Sequence, residues 1–310
     1  MVEDARAALY AALGGPVTPL AGGHSGETFH AVLDGEDVVV RVYARDPARA
    51  AVDVALLHRL RGTVPVPAVL DAQVCADPPV VVTQWLPGER LDLVLDEVSP
   101  QVGHELGRSV GGVLLRLSAV RLQSPGAIVG PDLATGPHAD GSGSLEEWTR
   151  RHLDRGALAR WSPEDRAALL ATARAVRPLL ETVDGERTLV HGDLNPKNLL
   201  AEPGRSEVTG LLDWEYAWSG SWLADLGNLL RFPPDDDDET GHAFLAGALT
   251  LLADAGRLTR GWLDTARALD LFALVDLAAR ERANPVVERA TALLLETART
   301  GSLAAGRPVP

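Results

Sequence analysis

The sequence predicts an α+β chain in two lobes, a small β-rich lobe at the N-terminus and a larger helical lobe after it. Three observations carry that reading. Apolar strand-like runs with a tight Asp34-Gly35-Glu36 turn crowd the first 86 residues, as hairpin strands do. Pro87-Gly88 then breaks the chain, which makes a natural boundary between residues 1–86 and 87–310. Beyond it, segment after segment repeats its apolar residues at helical spacing.

The elements follow in order. Residues 3–13 read as an amphipathic helix closed by Gly14-Gly15. Strands are expected over 27–33 and 37–43, joined by the Asp34-Gly35-Glu36 turn. Val52, Leu56, Leu57 and Leu60 give 47–60 a helical period, with Asp46-Pro47 as N-cap and first turn. Pro65-Val66-Pro67 is expected to stop that helix. With the strand-like run ahead of the 21–29 turn, apolar runs at 66–74 and 79–85 complete a five-strand-plus-helix unit. Helices then dominate, at about 99–119, 144–153, 163–182, 221–231, 240–255, 259–282 and 285–299. Residues 121–143, rich in Gly, Pro, Ser and Asp, read as a surface loop. There is no internal repeat.

Composition sets the outer limits. A chain of 310 residues with 46% hydrophobic content can bury a real core. A single cysteine, Cys75, leaves no internal disulfide to form, which fits a reducing cytoplasm. The acidic start, Met1-Val2-Glu3-Asp4, has no secretory n-region, and no apolar run approaches the ~18 residues of a membrane span. A cytoplasmic protein is expected. The formal net charge is −14. That disfavours nucleic acid and anionic membranes as partners. It either favours a cationic small-molecule acceptor or serves solubility alone. Lys197 is the sole lysine.

The chemistry-bearing residues concentrate in 188–215. Short apolar runs, Thr188-Leu189-Val190 and Val208 to Leu212, deliver His191-Gly192-Asp193-Leu194-Asn195-Pro196-Lys197-Asn198 and Leu212-Asp213-Trp214-Glu215. Two carboxylates and a carboxamide at fixed offsets suit phosphoryl transfer. That reaction needs an acid to orient the acceptor hydroxyl, oxygen ligands for Mg2+, and donors on the phosphates. Asp193 supplies the first, Asn198 and Asp213 the second. Gly192 allows a turn where a Cβ would crowd the chain. Protein kinases use the same arrangement in their catalytic and metal-binding loops.

On these motifs the chain resembles the aminoglycoside phosphotransferase family of small-molecule kinases, over most of its length. The resemblance implies a bilobal protein-kinase-like fold with a five-stranded antiparallel sheet plus helix in the N-lobe. It makes Asp193 the catalytic carboxylate, Asn198 and Asp213 the Mg2+ ligands, and Asp225 an acceptor of N–H bonds from the catalytic loop. Glu215 matches an acidic position in choline-kinase-like relatives, where it would touch a second Mg2+ or a substrate cation; as a residue alone it reads equally as a surface acid. His191 supports the loop by hydrogen bonding, and Lys197 reaches either the γ-phosphate or solvent.

The same resemblance places ATP or GTP on the N-lobe. The turn carrying Ser25 and Gly26 covers the phosphates, and Arg41 on its strand is the phosphate-binding cation in place of the lysine of protein kinases. Asp53, aligned with the helical acid of the family, stands opposite Arg41 or else is a solvent-face acid. The backbone from Gln84 to Leu86 holds the purine edge. Acceptor candidates are acidic and aromatic: Asp132, Asp140, Glu146, Trp148, Trp218, Trp222 and the run Asp235 to Glu239, with Trp218, Asp235 and Asp236 foremost. The run either binds a polyamine or is a solvated loop. Trp214 and Trp218 either cage a cation or are core.

Together these imply an O-phosphotransferase acting on an antibiotic, aminoglycoside or otherwise actinomycete-type (peptidyl, macrolide or nucleoside), as a monomer or homodimer. A metabolic kinase for choline, homoserine or a sugar shares every catalytic residue. A catalytically inactive kinase-fold binding module is the third alternative.

Overall fold

The computed structural model describes residues 17–20, 27–138, 143–282 and 284–305. The helix expected over 3–13 lies outside them. The chain divides into two compact units. The first runs to Val94 and adds 128–134 and 196–217; the second holds 95–127, 135–195 and 218 onward.

In the first unit, the described residues form a five-stranded sheet in the order β1-β2-β3-β5-β4. Its strands are β1 (Thr18–Leu20), β2 (Glu27–Leu33), β3 (Glu36–Val42), β4 (Val69–Gln73) and β5 (Val80–Gln84). Every pairing is antiparallel. Asp34 and Gly35 both take positive φ, 50° and 85°, as a two-residue hairpin turn matched to strand twist requires. Val38, Val40 and Val42 alternate inward onto Phe29, Ala31 and Val82, so Arg41 projects from the opposite face. There Tyr43 and Val81 pack on Ala50 of helix α1 (Arg49–Leu60).

Both ends of α1 differ from expectation. Asp46 does not cap it: the Asp46 and Pro47 carbonyls accept the N–H groups of Arg49 and Ala50. The segment is thus a tight turn that flows into a helix whose N-cap is Ala48. The stop is not Pro65 but Gly62, whose φ of 78° suits the left-handed residue that ends helices. The unit is completed by an antiparallel three-stranded sheet of β11 (Val208–Leu211), β10 (Leu199–Ala201) and β6 (Glu89–Arg90). The short helix α2 (Leu91–Leu95) follows β6.

The second unit is built around a sheet in the order β8-β7-β12-β9. Its strands are β7 (Gly126–Ile128), β8 (Thr135–Gly136), β9 (Thr188–Val190) and β12 (Trp218–Gly220). The 121–143 segment is therefore not all loop. Its glycines let strands approach closely, since a Cβ on Gly126 would lie 2.2 Å from the Gly136 carbonyl oxygen. The helices are α3 (Pro100–Ala119), α4 (Leu145–His152), α5 (Pro163–Ala175), α6 (Arg177–Glu181), α7 (Leu223–Leu229), α8 (Glu239–Asp254), α9 (Trp262–Ala278) and α10 (Pro285–Thr300). The single helix expected over 163–182 is two, broken ahead of Pro178, which has no N–H for the Arg174 carbonyl and whose ring crowds it, while the first turn of a new helix tolerates it. Leu169, Leu271, Leu274, Ala290 and Leu294 anchor the helical core.

Candidate active site

The acid-and-cation cluster of the first unit starts from Arg41 on β3, which pairs with Thr28 on one side and Val81 on the other. Its guanidinium donates to Asp213 Oδ1 at 3.4 Å and to Glu215 Oε2 at 3.1 Å, and stands 5.3 Å over the Tyr43 ring. Burial opposes the charge on Arg41, but Tyr43, Asp213, Asp53 and Glu215 outweigh it and move its pKa upward. Glu215 is not a surface acid: its side chain is 6% exposed.

Asp213 sits at the mouth of the β10–β11 hairpin with φ 61°, a left-handed conformation that costs a non-glycine residue energy unless its surroundings hold it. The Leu212 N–H donates to the Asn198 carbonyl at 2.9 Å. That bond brings the backbone of Asn198 and of the Asp213 turn together at one end of the hairpin. The turn continues as a 3-10 helix over Trp214–Tyr216, and buried Trp214 is core. Lys197 lies exposed on its own 3-10 turn, Pro196–Asn198.

Asp53 is buried, and its carboxylate accepts from the Tyr43 hydroxyl at 2.8 Å and from Arg49 Nε at 2.6 Å. It reaches Arg41 through its field. Burial first, and then the Asp53 charge, push the Tyr43 phenol pKa up. Arg49, which sequence reasoning missed, also donates to the Trp214 carbonyl. Gln84 ends β5, its N–H donating to the Ala68 carbonyl at 2.9 Å. Leu86 lies with Leu200 over Gly210, where a Cβ would come within 3.0 Å of both side chains. Ser25 and Gly26 lie outside the described residues.

In the second unit, β9 is fully buried and pinned by Thr188 Oγ1 donating to the Gly220 carbonyl at 2.6 Å. The chain then turns at Gly192, φ 83°. The His191 and Gly192 N–H groups each donate to one oxygen of Asp225, both at 2.8 Å, as the family resemblance implies. Burial raises the Asp225 pKa against the pull of these donors and of His191. His191 Nδ1 accepts the Asp193 N–H at 3.2 Å, so its role is to shape the loop. Asn195 Nδ2 donates to Asp193 Oδ1 at 2.9 Å and to its carbonyl at 3.1 Å. Asn195 also escaped the sequence reading; an Asn two residues after an Asp was its only signal.

The acceptor candidates scatter. Asp235 and Asp236 line a cavity of about 460 Å3 with Arg231, Phe232, Arg289 and Glu296. Asp238, from the same acidic run, instead caps α8 through the Gly241 N–H. Trp218 pairs with Val190 of β9, and its ring meets His138 edge-on at 5.7 Å. Glu146 is engaged by Arg150 and Arg174, Trp148 donates to the Phe272 carbonyl, Trp222 is buried under Arg257, and Asp132 accepts from the Ala134 N–H. Asp140 lies outside the described residues.

The Asp213 and Glu215 carboxylates meet Arg41 at the hairpin mouth, and Asn198, whose backbone carbonyl takes the Leu212 N–H there, adds a carboxamide; all three side chains offer hard oxygens. That set fits Mg2+, which is bound through one or two carboxylates and keeps positions for water and phosphate oxygens. Among the described residues no group of three or more His, Cys, Asp or Glu is placed to hold a metal ion, and no helix is long and apolar enough to cross a membrane.

Comparison with known proteins gives this arrangement a family. The model of the phosphotransferase enzyme family matches residues 16–266. A thermostable mutant of aminoglycoside phosphotransferase APH(4)-Ia, solved with ADP and hygromycin B, superposes with a TM-score of 0.66 at 15% identity, covering 96% of this chain and 97% of that one. The streptomycin–ATP complex of APH(2″)-IIa gives 0.62 at 15% identity, covering 96% and 97%. Among curated proteins, acyl-CoA dehydrogenase family member 10 of Mus musculus is 27% identical over 175 residues, 53% of this chain and 15% of its own length. Family member 11 of Pongo abelii is 26% identical over 168 residues, 51% of this chain and 20% of its own length. This chain thus spans a fifth or less of those two relatives. The fold is the kinase-like fold of the aminoglycoside phosphotransferases, and the chain belongs to the phosphotransferase enzyme family.

Proposed function

We propose that the protein is a small-molecule kinase that transfers the γ-phosphoryl group of ATP or GTP to a hydroxyl of an antibiotic, inactivating it in the cytoplasm. The observation that carries this reading is the half-buried Arg41 guanidinium set against Asp213 and Glu215, a phosphate-binding cation beside two metal-binding acids. Residues 1–86 are the nucleotide lobe, with Ser25, Gly26, Arg41 and Asp53 serving the phosphates and Gln84 to Leu86 the purine. Residues 87–310 supply the catalytic loop and the acceptor helices. Asn198, Asp213 and Glu215 would hold Mg2+, which neutralises charge on the β- and γ-phosphate oxygens.

Asp193 orients the acceptor hydroxyl, helped by Asn195, which fixes its Oδ1. As the acceptor oxygen bonds to the γ-phosphorus and the bond to the bridging oxygen breaks, the hydroxyl proton passes late to Asp193. Structures of this fold hold hygromycin B or streptomycin, which supports an antibiotic acceptor. Trp218, Asp235 and Asp236 are the candidate contacts for a cationic one, and Lys197 a candidate phosphate contact. The test is nucleotide turnover with ATP and GTP in parallel, against aminoglycosides, peptidyl, macrolide and nucleoside antibiotics, choline, homoserine and sugars. A phosphorylated antibiotic in the mass spectrum is the expected result. Turnover with choline, homoserine or a sugar alone would make it a metabolic kinase. Absence of nucleotide-dependent thermal stabilisation with Mg2+ would favour an inactive binding module.

A further inference from the structure

Arg49 occupies a position that helix energetics do not explain. It is the first residue of α1, where the helix dipole is positive and the first turn holds no acid, the unfavourable end for a cation. Its partner Asp53 lies four residues on, and a basic residue N-terminal to an acidic one is the poorer order for such a pair. The pair is also withdrawn from water, at 10% and 6% side-chain exposure, which costs desolvation that a lone ion pair often fails to recover. Local rules are broken most often where function compensates.

The compensation is a bridge across the chain. Arg49 Nε holds Asp53 Oδ1 while Nη2 donates to the carbonyl of Trp214, 165 residues away. That carbonyl also accepts the Ala217 N–H at 2.9 Å, closing the 3-10 turn. Trp214 stands between Asp213 and Glu215, so fixing its carbonyl fixes the peptide plane from which Glu215 departs. The same anchor opposes relaxation of the left-handed Asp213. On the other side, Asp53 Oδ2 takes the Tyr43 hydroxyl, and the Tyr43 ring underlies Arg41, which returns to Asp213 and Glu215. The contacts form a closed circuit.

We propose that Arg49 is a positioning residue for the metal-binding turn, tying helix α1 to the Asp213–Glu215 segment through the Trp214 carbonyl. It rests on the reading of Asp213 and Glu215 as metal ligands. Two arginines of the first unit therefore bear on the proposed metal site, Arg41 of β3 by charge and Arg49 of α1 by geometry. The second task needs a guanidinium, because one planar fork serves a carboxylate and a carbonyl in fixed directions where an ammonium is a single point charge.

The test is Mn2+ binding to the full chain with ADP present, followed by electron paramagnetic resonance, for wild type, Arg49→Ala, Arg49→Lys, Asp53→Asn and Asp213→Ala. Residues that hold a metal-bearing turn without touching the metal typically change affinity about tenfold or more. Arg49→Ala and Arg49→Lys should weaken Mn2+ by about that factor, Asp53→Asn by less. Metal-free ADP affinity should stay within about twofold in the two Arg49 variants. Should Arg49→Ala fail to fold, the Lys and Asn variants carry the test. Wild-type Mn2+ affinity in Arg49→Lys, or a parallel loss of metal-free ADP binding, would overturn the positioning role. Asp213→Ala separates the two claims. If it weakens Mn2+ while the Arg49 variants do not, only the Arg49 inference falls; if it does not, the metal reading falls and takes the inference with it.

Discussion

The two acid-bearing turns solve one problem in opposite ways. Each needs a left-handed residue: Gly192, φ 83°, before Asp193, and Asp213 itself, φ 61°. In the His191–Asp193 turn a glycine takes the unusual backbone at no steric cost, and the loop is held by two backbone N–H groups on a buried Asp225. In the Asp213–Glu215 turn the functional acid takes the strain, and cations hold it, Arg41 by its side chain and Arg49 through the next carbonyl. The first turn is fixed by bonds internal to the protein. The second is fixed by charges that an incoming phosphate would also engage. On the proposed function, the proton acceptor would thus be set on rigid backbone, and the metal site left responsive to its ligand.

Breaking the first anchor should have the largest effect. Asp225→Ala strands one buried and one half-buried N–H group, and at about 1–3 kcal/mol each the loss in a denaturation experiment should be about 2–6 kcal/mol. The sign of the pH dependence sharpens the point. Burial raises the folded-state pKa of Asp225, so its contribution is full below the unfolded value and declines as pH rises through the folded value. Asp225→Asn should remove that slope from the stability curve. Gly192→Ala should cost less, about 1–2 kcal/mol for a side chain forced to positive φ, and should slow turnover without changing metal affinity. The smallest effect lies away from both turns. The Arg174 and Arg150 guanidiniums hold the Glu146 pKa down to about 2. Its stability contribution is therefore present above the ordinary 4.5 and lost as pH falls toward about 2. Because Glu146 is exposed to solvent screening, Glu146→Gln should shift the acid limb of the stability curve only slightly.

The sequence made the first turn more legible than the second. His191-Gly192-Asp193 follows a β-type run at fixed spacing, and the family resemblance places Asp225 as its anchor. Asp213 and Glu215 were equally visible, but their support was not. Arg49 sits in an ordinary amphipathic pattern, and its partner carbonyl is 165 residues away, a separation that no local period encodes. Buried Glu215 read equally as a surface acid for the same reason. In the fold, most of the helices followed from periodicity, and the five-stranded sheet from its apolar runs together with the family resemblance. The short strands β7 and β8 did not, because their glycines serve close strand approach, which in a sequence looks like a loop. The start of α1 failed because Asp46-Pro47 bonds through its carbonyls rather than through the Asp side chain.

The most direct measurement of the central claim compares Asp193→Asn with wild type in two readings, Mg2+–nucleotide affinity and single-turnover phosphorylation of the acceptor found in the panel. If Asp193 orients and deprotonates the hydroxyl, turnover falls by about 10^2–10^4 while nucleotide affinity stays within about twofold. Turnover above about a tenth of wild type, or an equal loss of nucleotide binding, would contradict the assignment of the transfer chemistry to this loop.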